Sequence, residues 1–207
     1  MVNCRELEIA GKSLAIWEHE DVIDENGKSQ TGSWIWDCAL VLAYWLDTAA
    51  WTPGFFQGKR VVELGSGTGL PGLAAACLGA QVVLTDKKAL LPGLERNIIE
   101  NRLSDRVSVQ ELEWGQSVDH LLPPVDYVLM SDLLYNVDSM PALVKTVTEL
   151  SDKNTQLLLS YELRPGTTEC FQEFKKHGFL WYKVPNEQLH PSWTSEDIGI
   201  FRLWREA

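Results

Sequence analysis

The sequence predicts an α/β domain whose mostly parallel, doubly wound sheet carries helices on both faces. Apolar runs of strand length alternate with helical patterns along most of the chain, which is the order expected for such a sheet. A glycine-rich segment, Gly65–Gly69, joins the apolar run Val61–Leu64 directly to the helical pattern Leu70–Leu78. Near the C-terminal end two strand patterns, Phe179–Val184 and Ile198–Trp204, follow one another without a helix between them, so we expect the sheet to end in a hairpin.

The chain has 207 residues, which is short enough for a single domain and long enough to bury a sizeable core. We expect residues 1–32 to form an N-terminal addition and residues 33–207 to form the core of that domain. Within the addition, Glu6–Ile9 and Ser13–Trp17 alternate between polar and apolar residues, which predicts a β-hairpin outside the main sheet. The polar segment Glu18–Gly32 predicts a loop.

The composition restricts the class of partner. The formal net charge is −11 and the sequence pI is about 4.8. Phosphate backbones are bound by basic faces, so we expect no nucleic-acid partner. An acidic surface suits a cationic partner instead, such as a lysine-bearing protein surface. No apolar run reaches the 18 residues of a membrane-spanning helix, so we also expect no membrane association.

The four cysteines are scattered and include no CxxC pair. This spacing favours neither a disulfide framework nor a zinc site, and it predicts a reducing compartment. We therefore expect no metal, and a location in the cytoplasm with the nucleus as a further compartment. Cys38 and Cys77 lie in apolar helical patterns and are expected to be small core residues.

The glycine-rich segment predicts a ligand-binding turn. Glycine tolerates the left-handed backbone that a tight turn needs, and it has no Cβ to keep a ligand away from the backbone. The N–H groups at the start of the following helix would then face that ligand. Pro71 suits the first helical turn, where its missing N–H is not required.

A second strand pattern, Gln81–Asp86, ends in an acid about 20 residues past the first glycine, where a carboxylate accepts hydrogen bonds from ribose hydroxyls. Two nucleoside cofactors then compete. Gly67-x-Gly69-x-x-Gly72 satisfies the dinucleotide fingerprint. However, the run from Glu63 to Gly69 resembles motif I of S-adenosylmethionine-dependent methyltransferases, in which the acid organises the turn around the methionine end of the cofactor. The alternative for Glu63 is a polar residue in a half-buried strand.

The other elements continue the alternation. Trp36 opens a helical pattern that leads into the glycine strand, and Leu90–Asn101 predicts the helix after the second strand. Further strands are predicted at Val107–Leu112, Val125–Met130 and Thr155–Tyr161, and further helices at Pro141–Leu150 and Thr168–His177.

Several residues fall after the carboxyl ends of strands, where open α/β sheets place their chemistry. Asp132 and Tyr135 follow the fourth strand of the sheet, and Trp114 follows the third, where its ring can stack on a purine. The alternative for Trp114 is surface packing. From its residues alone, Trp36-Asp37 is interpreted as a core aromatic with a helix-capping acid, and the functional alternative is a ring that covers the cofactor.

These motifs together resemble a known family. They occur in the order seen in the family 16 seven-β-strand protein methyltransferases: Trp34-Ile35-Trp36-Asp37, the glycine turn, Asp86, Glu113-Trp114-Gly115, Asp132-x-x-Tyr135 and Tyr161-Glu162-x-Arg164. The tail, with Glu196-Asp197-Ile198 before the last strand, is most similar to the branch that methylates a lysine of the valosin-containing AAA ATPase.

The resemblance implies a Rossmann-like class I methyltransferase fold with a seven-stranded sheet in the order 3-2-1-4-5-7-6 and an antiparallel strand 7. It implies S-adenosyl-L-methionine as cofactor and a protein substrate that bears a target lysine. The implied cofactor-binding residues are Trp36, Glu63, Gly65, Ser66, Gly67, Asp86, Trp114, Ser131 and Tyr135. Ser131 replaces the small alanine that often precedes the motif acid, and we expect the pocket to tolerate its hydroxyl.

The implied catalytic residues are Asp132 and Tyr135, which would shape the channel where the lysine enters. Tyr135, together with Tyr161 and Glu162, would form the channel wall. For Asp132 two hypotheses stay open: it orients the lysine amine, or it only holds its loop through backbone hydrogen bonds. We expect the protein to act as a monomer.

Three functions compete at this point. The first is a protein-lysine methyltransferase, and the second is a small-molecule or other non-lysine methyltransferase with the same cofactor core. The third is a non-catalytic cofactor-binding module or a nicotinamide-dependent enzyme. No Asn-Pro-Pro-Tyr tetrad, which would suit methylation of amides or base amines, follows the fourth strand, and this weakens the second function.

Overall fold

The computed structural model describes residues 2–19, 22–23, 27, 31–164 and 167–205. Strands within these ranges are β1 Val2–Ile9, β2 Lys12–His19, β3 Arg60–Leu64, β4 Gln81–Asp86, β5 Val107–Glu111, β6 Tyr127–Ser131, β7 Gln156–Glu162, β8 Phe179–Lys183 and β9 Ile198–Arg205. The α-helices are α1 Asp37–Leu46, α2 Leu70–Cys77, α3 Leu91–Glu100, α4 Met140–Leu150 and α5 Thr167–Lys176. Most predicted elements are therefore found within two residues of their expected bounds.

In the part of the chain that the structure describes, seven strands form the main sheet in the order β5-β4-β3-β6-β7-β9-β8. Numbered along the chain from β3, this is the order 3-2-1-4-5-7-6. The strands β5, β4, β3, β6 and β7 are parallel to one another. The last strand of the chain, β9, runs antiparallel to both of its neighbours, β7 and β8. The predicted fold class is confirmed.

Helices cover both faces of the sheet. Neighbouring residues of β3 point to opposite sides, so Val61 lies in the core under α1, α2 and α3, and Val62 lies in the core under α4 and α5. In the central strand β6, Val128, Leu129 and Met130 are all 0% exposed, as expected for a parallel strand covered on both faces. No helix in the described ranges is long and apolar enough to cross a membrane.

Strands β1 and β2 form a separate two-stranded sheet, as predicted, but the hairpin is longer than expected. Glu18 belongs to β2 instead of starting a loop, because its buried carboxylate accepts hydrogen bonds from the backbone N–H of Ile35 (2.8 Å) and from Asn3 Nδ2 (3.1 Å). Of the remaining predicted loop, residues 20–21, 24–26 and 28–30 lie outside the described residues.

Two asparagines of α3 attach the hairpin to the core. Asn97 is 0% exposed, and its Oδ1 accepts from the N–H of Trp17 (2.9 Å) while its Nδ2 donates to the carbonyls of Trp17 (3.2 Å) and Thr68 (3.0 Å). Asn101, one turn later, bonds both backbone groups of Ala15 at 2.8 Å. The asparagines thus substitute for a neighbouring strand along β2, and Asn97 also ties the hairpin to the glycine turn.

We expect Asn97→Ala to lower the free energy of unfolding by about 3 kcal/mol, because it leaves the buried carbonyl of Thr68 and the partly buried backbone groups of Trp17 without partners. Asn101→Ala is the matched control with an expected loss of about 1 kcal/mol, since water can reach its partly exposed site. Urea unfolding of both variants measures the difference. Equal losses in the free energy of unfolding would show that the hydrogen bonds of Asn97 stabilise the fold no more than those of Asn101.

The insertion between β8 and β9 is held against α1 by aromatic rings. Trp193 stacks on Tyr44 with ring centroids 4.6 Å apart and an interplanar angle of 3°, and His190 packs on the same ring at 5.2 Å. The far end of the insertion reaches the carboxyl edge of the sheet, where the carbonyl of Asp197 accepts from the N–H of Leu163 at 2.7 Å. The insertion therefore brings its exposed acids beside the end of β7.

Candidate active site at the carboxyl edge of the sheet

The turn after β3 has the backbone that its glycines predict. Gly65, Gly67 and Gly69 have φ values of +55°, +56° and +80°, all in the left-handed region that favours glycine. Gly69 is the N-cap of α2, and Pro71 lies in the first turn of that helix. The start of α2 and the bare backbone of the turn therefore face the same edge of the sheet.

Glu63 lies buried beneath this turn. It is 1% exposed, and its Oε2 accepts a hydrogen bond from the N–H of Gly72 at 3.0 Å. A Cβ at Gly72 would lie 2.7 Å from that oxygen and 2.3 Å from Leu84 Cδ2, so the third glycine of the fingerprint is required by helix–strand packing. Glu63 thus anchors α2 to β3, which corrects the alternative of a half-buried strand residue.

Burial disfavours the charged carboxylate of Glu63 and raises its pKa well above 4.5, although the N–H of Gly72 opposes the shift. The folded protein therefore holds this proton more tightly than the unfolded chain. The stability that protonation provides is fully present below pH 4.5, and it is lost as the pH rises through the raised pKa of the folded state.

Accordingly, we expect Glu63→Gln, which stays neutral, to gain stability relative to the wild type as the pH rises from 5 to 8. Urea unfolding of both proteins at the two pH values measures this gain. Asp152→Asn is the control, and its stability difference from the wild type should stay constant between pH 5 and pH 8. Backbone hydrogen bonding by Asn154 lowers the pKa of Asp152 below 3.8, so this carboxylate is ionised in the folded and the unfolded chain throughout that range. A stability difference between Glu63→Gln and the wild type that is constant with pH would contradict the expectation.

Asp86, at the end of β4, faces the turn. Its Oδ2 accepts from the N–H of Gly67 (2.8 Å) and its Oδ1 from the N–H of Lys87 (2.7 Å). Burial raises the pKa of Asp86, and the two N–H groups and the charge of Lys87 act in the opposite direction. The carboxylate is therefore fixed in place, and its remaining lone pairs can accept from a ligand. Ser66 joins the same strands by accepting from the N–H of Thr85 at 3.0 Å and donating to the carbonyl of Glu63 at 3.1 Å.

Trp114 lies beside the first glycine of the turn. A Cβ at Gly65 would lie 3.4 Å from Trp114 Cζ2 and 2.7 Å from Leu133 Cδ2. The Trp114 backbone is held because the N–H of Gly115 donates to Thr146 Oγ1 at 2.7 Å. The contact of Leu133 with the turn was not predicted, because nothing in the sequence distinguishes it from an ordinary core leucine.

A second contact that the sequence did not predict comes from the short 3₁₀ turn Thr31–Ser33. A Cβ at Gly67 would lie 2.6 Å from the carbonyl oxygen of Gly32, and one at Gly32 would lie 3.3 Å from Gly67 Cα. The chain just before Trp36 therefore crosses directly over the glycine turn. The glycine at position 32 is the one sequence signal that could have indicated this approach.

Trp36 and Tyr135 flank the same edge. Trp36 is 48% exposed and is itself the N-cap of α1, so the prediction of a core aromatic with a capping Asp37 is wrong. The backbone carbonyl of Trp36, which accepts from Ala39 at 2.9 Å, begins the helix instead. Tyr135 is 64% exposed, and partial desolvation followed by the charge of Asp86 raises the pKa of its hydroxyl. Tyr135 follows β6 and Asp86 ends β4, so both residues lie at the carboxyl edge of the parallel strands.

The turn after β6 carries the other predicted catalytic residue. Asp132 has a φ of +54°, which is uncommon for a residue with a side chain. Its carboxylate receives both arms of Arg164, at 3.1 Å and 2.8 Å, and a longer bond from the N–H of Glu162 at 3.4 Å. Ser131, just before it, accepts a hydrogen bond from Ser160 Oγ at 3.2 Å. These contacts favour the hypothesis that Asp132 holds its loop.

A family model described as lysine methyltransferase matches residues 17–177, which is well over half of the chain. The chain belongs to the lysine methyltransferase family. Two relatives of this lysine methyltransferase are similar over most of its length. The protein N-lysine methyltransferase METTL21A of Danio rerio is 41% identical over 173 residues, which cover 81% of this chain and 75% of the relative. The EEF1A lysine methyltransferase 3 of Xenopus tropicalis is 31% identical over 174 residues, which cover 83% and 74%.

Solved structures agree with the fold. The T. Thermophilus 16S rRNA N2 G1207 methyltransferase, in complex with AdoMet and guanosine, has a TM-score of 0.66 at 17% identity, and the match covers 100% of this chain and 51% of that one. The mitomycin 7-O-methyltransferase MmcR has a TM-score of 0.64 at 15% identity, with coverages of 81% and 54%. At such identities these neighbours show the fold alone.

The cofactor of this lysine methyltransferase is S-adenosylmethionine, so the alternatives of a nicotinamide enzyme and a non-catalytic module fall away. The site fits this molecule. The glycines add no side chain between the backbone of the turn and a ligand, Asp86 keeps lone pairs that can accept from ribose hydroxyls, and Trp114 lies beside Gly65. Within the described residues no group of side chains could hold a metal ion.

Proposed function

We propose that this enzyme methylates a lysine on the surface of a partner protein, and that the side chain reaches the cofactor over the carboxyl ends of β6 and β7. The observation that carries this proposal is that Asp86, Tyr135 and the Asp132–Arg164 pair all lie at the carboxyl edge of the parallel strands. Large apolar side chains remain exposed at the same edge, as expected where a partner is to be covered: Trp34, Trp36, Tyr135, Val137 and Leu163.

The chemistry divides between the cofactor and the chain. S-adenosylmethionine supplies a methyl group that is already activated, so transfer requires mainly alignment with a neutral amine. Free lysine, with a pKa of about 10.4, is mostly protonated at neutral pH, and a narrow, partly desolvated channel favours its neutral form. Because the pKa of Tyr135 is raised, its hydroxyl stays neutral at working pH and serves as a channel wall and hydrogen-bonding group without adding charge.

For the partner we propose the valosin-containing AAA ATPase. The support is the Glu196-Asp197-Ile198 tail, whose acids are exposed beside Leu163 at the channel edge. An acidic rim there complements basic groups around a target lysine. Elongation factor 1A is a second candidate, because one relative that is 31% identical is named for it.

The test incubates the purified enzyme with tritiated S-adenosylmethionine and with either the AAA ATPase or elongation factor 1A, followed by mass spectrometry of the labelled protein. We expect label on one lysine of the AAA ATPase, abolished when that lysine is replaced by arginine. Label on elongation factor 1A alone would transfer the proposal to that partner. A parallel reaction with cell extract tests the class of acceptor, since label confined to small molecules or RNA would contradict protein methylation altogether.

A further inference from the structure

Four side chains from three elements meet at the turn after β6. Arg164 pairs with Asp132 through two nitrogens and also with Glu162, and Cys38 of α1 faces the same carboxylate. We call Asp132, Glu162 and Arg164 the charge cluster. The side chain of Asp132 is 11% exposed, whereas those of Arg164 and Glu162 are 32% and 47% exposed. Asp132 is thus the least exposed member of the cluster.

The hydrogen-bonding capacity of Asp132 is largely used within the protein. One oxygen accepts from Arg164 Nη1 and the N–H of Glu162, and the other accepts from Arg164 Nη2. The charge of Asp132 also acts on Cys38 of α1: burial and then this charge raise the pKa of the Cys38 thiol. An incoming lysine therefore meets a carboxylate that is already paired in the fork geometry that Arg forms with acids.

The net charge of the charge cluster affects the protonation of the substrate amine. Two carboxylates and one guanidinium give the charge cluster a net charge of −1. A carboxylate within a few ångströms of an amine favours the ammonium form, which cannot attack a methyl group, and a nearby cation favours the neutral form. Two unpaired acids at this edge would attract the lysine but also keep it protonated.

We propose that Arg164 is a positioning residue that neutralises Asp132 and thereby keeps the incoming lysine amine in its reactive, neutral form. This inference rests on the function proposed above and concerns the same channel. Arg164 fixes the left-handed turn at Asp132 and sets the charge that the substrate nitrogen meets.

Other charged and titratable groups face this region and are held constant in the test. They are Cys38 from α1, Tyr135 from the turn after β6, Asp86 from β4, and the exposed acids of the insertion before β9, Glu196 and Asp197.

The experiment measures kcat between pH 6.5 and 10 with a saturating protein substrate, together with the S-adenosylmethionine affinity and melting temperature of each variant. Arg164→Gln changes the net charge of the cluster from −1 to −2, and we expect the pH midpoint of kcat to rise by about one unit and kcat at pH 7 to fall about tenfold. Arg164→Lys keeps the charge and should leave the midpoint near that of the wild type. Asp132→Asn brings the charge to zero and should lower the midpoint.

The combined variant is the decisive one. Asp132→Asn with Arg164→Gln restores the net charge to −1, so its midpoint should return to the wild-type value even though the ion pair is gone. Lys59→Gln is the matched control. It breaks a 3.2 Å ion pair with Asp126 at the opposite edge of the sheet and should leave the pH midpoint of kcat unchanged. If Arg164→Gln does not fold, the combined variant compared with Asp132→Asn measures the same charge step.

The inference would be overturned if Arg164→Gln lowered kcat without moving its pH midpoint. It would also be overturned if the pH midpoint of the combined variant did not return to the wild-type value. Arg164 would then be a purely structural residue. Failure of the proposed function looks different, because the wild-type enzyme itself would then transfer no label to any protein lysine.

Discussion

Gly67→Ala is expected to weaken S-adenosylmethionine binding at least about 100-fold, equivalent to about 2.7 kcal/mol. The backbone at this position has a φ of +56°, which costs a residue with a side chain about 1–2 kcal/mol. The new methyl group would also lie 2.6 Å from the carbonyl oxygen of Gly32. Since that neighbour is backbone, either the turn or the crossing segment has to move, and Gly67 would lose its bond to Asp86.

Gly58→Ala is the matched control for this result. Gly58 also has a left-handed φ, +70°, but a Cβ there meets nothing within 4 Å, and the residue lies just before β3 at the opposite edge of the sheet. Titration calorimetry with S-adenosylmethionine should find its affinity unchanged, while both variants lose some melting temperature. Equal affinities for Gly67→Ala and Gly58→Ala would show that the turn does not carry the cofactor.

Asp86→Ala should have the second large effect, a loss of cofactor affinity of about 100-fold or more, because hydrogen bonds to a charged group contribute about 1.5–3 kcal/mol each. The substitution removes the acceptors for the ribose and also releases the N–H groups of Gly67 and Lys87. We expect the melting temperature to fall as well, since the partly buried N–H of Gly67 loses its partner.

Asp126→Ala is the control that separates the loss of cofactor affinity from the loss of stability. Asp126 likewise binds a backbone N–H, that of Arg60 at 2.8 Å, together with Lys59, but at the amino edge of the sheet. It should lose stability without losing cofactor affinity. If Asp126→Ala weakened binding as much as Asp86→Ala, the effect of Asp86 would be general destabilisation and not ribose recognition.

The parts of the fold that were predicted correctly depend on neighbours along the chain. The glycine turn follows from the local need for positive φ, and the order of strands and helices follows from the period of apolar residues. Even where a strand was misplaced, the reason is a long-range bond: β6 starts at Tyr127 and not at Val125, because the N–H of Val125 donates to the carbonyl of Leu150 in α4.

The candidate site divides in the same way. Asp86, Trp114 and Tyr135 were identified because each follows a strand end, and topology alone brings strand ends to one edge. Trp36-Asp37, at the start of a helical pattern, predicts a core aromatic, but the ring of Trp36 is exposed where the chain passes from the 3₁₀ turn to α1. Burial of a single aromatic depends on what lies opposite, which the local pattern does not contain.

By itself, the sequence determined the fold class, the cofactor turn and the acid that faces it, because each rests on backbone sterics or on a period of two or 3.6 residues. Only the tertiary structure decided that Gly32 lies across Gly67, that Asn97 binds the hairpin to the turn, and that Arg164 occupies the carboxylate of Asp132. These contacts join residues about 30 or more positions apart, and their geometry exists only after the sheet has brought the segments together.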